Sequence, residues 1–110
     1  MAYRFGDVLL ATLTFSDGSA AKKRPVLVIY DSSDADLLIV PITSHPPRSH
    51  EDVMLNDWAA AALRLPSTVR PSKLTTLDKS VVVRAMGKLS DGDARQAREV
   101  LSRFFDVVLR

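Results

Sequence analysis

The chain contains no cysteine, which excludes a disulfide framework, a thiolate zinc site and a cysteine nucleophile. Long apolar stretches are missing too: the longest pure ones are about strand-sized, well short of a membrane span. The opening "MAYRFGDVLL" has neither the apolar block nor the small-residue cleavage site of a signal peptide, so a cytoplasmic protein is expected. A strong charge imbalance is absent as well, and a net +2 decides little about partners.

What is present reads as an ordinary soluble domain. The composition, 46% hydrophobic and 25% charged, argues against disorder, and 110 residues suit one domain with a single modest core. The charges are unevenly spread. Segments 22–24 and 64–88 hold nine cations against one anion, Asp78, while the remainder holds six cations against twelve anions. If the two segments meet in space they form a basic surface suited to phosphates; otherwise they scatter over solvated faces. The stretch "KKRPVLVIY" sharpens the question, because it sets three cations in front of an apolar strand.

The patterning predicts strands over 8–15, 24–31 and 37–44, joined by the loop "SDGSAAKK" and the turn "SSDAD". "DVML" reads as a short strand. "NDWAAAALRL" reads as a short helix, with Asn56 or Asp57 accepting its first free N–H groups and Trp58 anchoring it. Residues 67–77 read as a strand interrupted near Pro71, followed by "VVVRAM" as another, and Pro41 hints at an edge, a bulge or a strand end. Ser90, three residues before Asp93, is the N-cap of a C-terminal helix whose apolar positions 94, 97, 101, 104, 105 and 108 share one face. The expectation is one compact, mainly β domain over 1–110: five or six strands with a helix lying on the sheet.

The words "GDVLLATLTF", "KKRPVLVIY", "VPITS", "VRPSKLTTLDKS" and "GKLSDGD", in that order and spacing, resemble the MazF/PemK (Kid-like) toxins of bacterial toxin–antitoxin systems, and "TLDKS" the PemK-like branch. The likeness runs from about Gly6 into the final helix. It implies an SH3-like small β-barrel with a C-terminal α-helix, usually a homodimer. It also implies a sequence-specific endoribonuclease that cuts single-stranded RNA without a metal or other cofactor, leaving 2′,3′-cyclic phosphate and 5′-hydroxyl ends. The implied partner is an antitoxin that lays an acidic segment across the RNA groove.

The resemblance assigns catalytic roles to Arg24, Thr43 and Arg70. Arg24 matches the arginine of the family's "RP" word; its planar, permanently charged fork suits a phosphorane-like transition state better than proton donation. Thr43, with Ser44 beside it, matches a hydroxyl pair and positions the scissile phosphate. Arg70 falls on a catalytic arginine of Kid-like members. Two positions later those members carry an aspartate, where this chain has Ser72, so the general base is unassigned and Lys73 is a substitute cation. Lys22 and Lys23 are expected to meet RNA phosphates from a flexible lid, "SDGSAAKK". His45, outside the shared words, carries an imidazole suited to acid or base work and is a further candidate for contact with RNA. Asp78 reads as a turn or cap residue, and Trp58 as a packing anchor rather than a base-stacking platform. Two other readings stand beside the nuclease: a protein-binding poison of the CcdB (gyrase inhibitor) type, and a non-catalytic RNA-binding β-barrel.

Overall fold

The apolar runs VLLATL, PVLVIY and LLIVPI become the three central strands of the protein, where both faces are covered. The computed structural model describes residues 2–14 and 20–110. Its strands are β1 (Asp7–Leu13), β2 (Lys22–Asp31), β3 (Asp36–Thr43), β4 (Val53–Met54), β5 (Thr68–Val69), β6 (Thr75–Asp78) and β7 (Val82–Lys88), followed by the helix α1 (Asp91–Val108). The strands run antiparallel in the order β4-β5-β3-β2-β1-β7, with β6 also pairing β3. The sequence suggested five or six strands; seven form among the described residues, because the segment broken at Pro71 supplies two. Pro41 stands where β3 changes partner, from β6 at Ile39 to β5 at Ile42.

Register shifts between Val8 and Leu9, between Leu10 and Ala11, and between Val28 and Tyr30 bend the ribbon, as bulges do. The curl carries the 3-10 turn Ala59–Ala61, which links β4 to β5, onto β7. A Cβ added at Gly87 would lie 3.1 Å from the Ala61 carbonyl oxygen, tighter than side chains usually pack, so glycine suits this close approach. Packing, rather than a strand ladder, closes the barrel at this seam among the described residues.

Alternation along the strands divides the apolar residues into two cores. One, with Val8, Leu27, Val40 and Ile42, packs against Ala97 and Val100 of α1. The other gathers Leu9, Ala11, Val26, Val28 and Ile39 on the opposite face. Leu9 and Leu27 are fully buried, each worth about 2–3 kcal/mol of burial.

Ser90 caps α1 as expected, its Oγ accepting the Asp93 N–H at 3.2 Å. The apolar face differs in part from the expectation. Val100 is buried, whereas Val108, in the last turn of the helix, is 57% exposed. The expected helix at 56–65 contracts to the 3-10 turn, and neither Asn56 nor Asp57 caps it. Instead the buried Asp93 carboxylate accepts the backbone N–H groups of both, at 3.0 and 2.8 Å. Trp58 is half-buried against the core, as an anchor would be.

At the far end of β2, Asp31 holds three segments together. Its carboxylate accepts from the Tyr3 and Ser33 N–H groups, both at 2.8 Å, and pairs with Lys79 Nζ at 2.9 Å. The Lys79 ammonium, helped by the two N–H donors, lowers the Asp31 pKa from 3.8 to about 2. Asp78 is a cap, as expected: its carboxylate accepts the Ser80 N–H at 2.8 Å, which lowers its pKa.

Candidate functional site

Strand register decides which of the candidate side chains can act together. On β2, Val26 pairs with Pro41 of β3, Leu27 with Val40 and Val28 with Ile39. Continued for two residues beyond the last pair, that register sets Arg24 opposite Thr43. Both keep the parity of Val26 and Pro41, so both belong to the face away from α1. On the other side of β3, Thr43 pairs with Thr68 and Ile42 with Val69. The Arg70 N–H then donates to the Pro41 carbonyl at 3.3 Å. Val69 is committed to the core beneath α1, so Thr68 and Arg70 point to the same face as Thr43. Arg24, Thr43 and Arg70 thus occupy one face of three adjoining strands.

Their environments differ. Arg24 is exposed and takes part in none of the ion pairs among the described residues. Thr43 is half-buried, and its Oγ1 accepts the His45 N–H at 3.2 Å. That bond uses one lone pair and fixes the hydroxyl at the strand end, leaving its proton free to donate. The Arg70 side chain is only 11% exposed, with Asp52 Oδ2 3.9 Å from its Nε. Its Nε and Nη2 are buried without a hydrogen-bond partner. Neither Asp52 nor the buried Thr68, which pairs with Thr43, was singled out from the sequence. Nothing local marks Asp52, which lies eighteen positions from Arg70 in a polar loop.

The lysines do not sit in a loop. β2 begins at Lys22, which pairs with Leu13, while Lys23 pairs with Thr12. Alternation puts Lys22 on the Arg24 face and Lys23 on the other. Of the lid "SDGSAAKK", residues 16–19 lie outside the described residues, as does Phe15, the expected end of β1. Ser44 and His45 are exposed just beyond β3. Ser72 and Lys73 are exposed on the 3-10 turn Pro71–Lys73, which follows Arg70 and touches β3 and α1.

The basic segments meet only in part: Arg24 and Arg70 share a face, while Lys79 and Lys88 lie elsewhere. Lys79 is committed to Asp31. Lys88 lines a cleft of about 410 Å³ with Phe5, Arg95 and Arg98, where the Arg98 guanidinium lies 4.5 Å from the Phe5 ring centroid. Lys88 pairs with Asp7 at the start of β1, whereas Arg24 pairs with Ala11 four residues on, so the cleft and the Arg24 face occupy different ends of that strand. Among the described residues, no group of three or more His, Asp or Glu side chains is placed to hold a metal, and no helix is long and apolar enough to cross a membrane.

Comparison with known proteins adds to this geometry. A search of curated proteins finds no match. Solved structures with the same fold include an endoribonuclease in complex with its cognate antitoxin from a Mycobacterial species, at TM-score 0.73 and 19% identity over 93% of each chain. The Mycobacterium tuberculosis toxin MazF-mt6 matches at TM-score 0.73 and 23% identity, over 91% of this chain and 96% of that one. The MazE–MazF complex of Deinococcus radiodurans matches at TM-score 0.73 and 18% identity, over 93% and 94%. At these identities the structures speak for the fold, an SH3-like barrel with a C-terminal helix. The family model of PemK-like, MazF-like toxins of type II toxin–antitoxin systems matches residues 4–105, so the chain belongs to that toxin family.

Proposed function

We propose that this toxin is an endoribonuclease that cuts single-stranded RNA by internal attack of a ribose 2′-hydroxyl on the adjoining phosphate. The observation that carries the reading is the shared face of Arg24, Thr43 and Arg70. In such a cut the 2′-oxygen bonds to phosphorus and loses its proton, the bond from phosphorus to the 5′-oxygen breaks, and that oxygen gains a proton. Negative charge builds on the non-bridging oxygens. Arg24, exposed and uncommitted to any ion pair among the described residues, supplies fixed positive charge there. Thr43 donates its hydroxyl proton to a phosphate oxygen from an anchored position. Arg70 adds a second guanidinium from the next strand. Lys22 and, from strand ends nearby, Ser44 and His45 steer the rest of the backbone.

Toxins of this family act in pairs with antitoxins, and the exposed Lys22 and Arg24, which share a face, suit an acidic antitoxin segment. The exposed Val107, Val108 and Leu109 at the end of α1 suit contact with a second copy.

The test is to incubate the purified chain with a long RNA in EDTA and map the new 5′ ends. Site-specific cuts with 5′-hydroxyl ends support the proposal, and the EDTA checks the metal-free reaction that the resemblance implies. RNA retention without cuts refutes catalysis, and gyrase inhibition without cuts points to a protein-binding poison. Arg24→Ala should lower cleavage by about 10²- to 10³-fold with the fold intact, because it removes a charge made for the transition state from an exposed position. Wild-type cleavage by that variant would remove Arg24 from the mechanism.

A further inference from the structure

Arg70 presents an anomaly. A guanidinium at 11% exposure normally has its donors met by carboxylate or carbonyl oxygens, because burying an unpaired cation is costly. Here Nε and Nη2 are buried and have no hydrogen-bond partner. The nearest carboxylate, Asp52, is 4% exposed and stands 3.9 Å from Nε, close enough for charge attraction but beyond hydrogen-bond reach.

Asp52 itself is firmly held. Its Oδ2 accepts the Arg48 N–H at 2.8 Å, and its own N–H donates to the Ser49 carbonyl at 3.2 Å, so the turn 48–52 is tied at both ends. The carboxylate is therefore a fixed negative point on the inner side of Arg70. It neutralises the guanidinium without occupying its donors.

We propose that Asp52 is a positioning residue for Arg70. Its charge holds the Nε and Nη2 edge of the guanidinium inward, so that the remaining exposed edge is oriented toward a phosphate oxygen of the RNA. The inference rests on the nuclease reading for its catalytic consequence, but the charge contact itself does not. Without Asp52, a nearly buried cation loses its only counter-charge among the described residues and swings toward water, giving up the orientation that the reaction needs. The two residues lie on opposite sides of β4 and β5 in sequence, so the pairing exists only in the folded chain.

Asp52→Asn is the decisive variant, because the amide oxygen can still accept the Arg48 N–H while the charge is gone. With a mapped RNA substrate, kcat should fall by about tenfold to hundredfold, as misplacement of a reacting group does, with KM changed far less. In an Arg70→Ala background the same change should have almost no further effect. An Asp52→Asn enzyme with wild-type kcat, or one whose defect persists undiminished without Arg70, overturns the proposal. If Asp52→Asn does not fold, Arg70→Gln/Asp52→Asn should fold, since the stranded charge has been removed; failure of that double variant also overturns it. Hydrogen exchange at Arg70 Nε, followed by NMR, distinguishes this inference from the nuclease reading. A wild-type chain that cuts no RNA refutes the nuclease; slow Nε–H exchange that becomes fast in Asp52→Asn still upholds the Asp52 contact, and equal rates refute it.

Discussion

Two carboxylate–cation pairs anchor opposite parts of this small barrel, and they are built differently. Asp31 and Lys79 stand 2.9 Å apart, and Asp31 takes two backbone N–H groups besides. Asp52 and Arg70 stand 3.9 Å apart, and two of the guanidinium nitrogens have no acceptor. The first pair is a finished joint between the N-terminal segment, the β2–β3 turn and the end of β6. The second leaves two buried donors unmet, beneath the face that also bears Arg24 and Thr43. A scaffold satisfies its polar groups internally; a site keeps some in reserve for a ligand.

That contrast can be sharpened with a third carboxylate. Asp93, like Asp31, is fully engaged, capping two N–H groups of another segment from within the core. Asp93→Ala should cost about 3 kcal/mol of stability, since it strands two N–H groups that now bond to a charge. Urea denaturation measures this, and an unchanged midpoint would show the cap to be dispensable. Arg70→Ala should do the reverse. Cleavage should drop by about a hundredfold, and the salt dependence of RNA binding should become shallower by about one unit of slope, while the denaturation midpoint moves less than in Asp93→Ala. An unchanged rate with an unchanged slope would refute its role.

Lys79→Ala should lower the denaturation midpoint while leaving cleavage within about twofold of wild type, because the change lies outside the proposed site. A large loss of cleavage at unchanged stability would erase the distinction between the pairs. Acid provides the smallest and cleanest probe. The Asp31 pKa is lowered from 3.8 to about 2 in the folded chain, so its stabilising effect is complete above about 3.8 and disappears as pH falls through about 2. The midpoint difference between wild type and Asp31→Asn should therefore be constant from neutral pH down to the upper value, then shrink to nothing. A difference that persists in stronger acid would contradict the assigned contact.

How much of this was legible in the sequence depends on the range of the interaction. Features made within a few residues could be read directly: the alternation of the strands, the Ser90 cap, the break at Pro71 and the Asp78 turn all stand in the structure. Features made across the fold could not. Asp93 reads as part of a local capping box, yet its carboxylate serves Asn56 and Asp57, some 36 residues away. Lys79 reads as one more cation of a basic segment until its pairing with Asp31 withdraws it. Lys22 and Lys23 read as loop residues, but pairing with Leu13 and Thr12 extends β2 to include them. The family words pointed to Arg24, Thr43 and Arg70 as a set, and the register of β2, β3 and β5 sets them on one face. The burial of Arg70 and the part played by Asp52 had no sequence signal at all.

The central claim is that this face, rather than the cleft of Phe5, Lys88, Arg95 and Arg98, receives the RNA. The most direct measurement is an NMR titration with an RNA oligonucleotide carrying 2′-deoxy sugars, which can bind but cannot be cut. Resonances of Arg24, Thr43 and Arg70 should shift together along one binding curve, with those of Phe5, Lys88 and Arg95 nearly still. Shifts confined to the cleft, with Arg24 and Thr43 unmoved, would contradict the account.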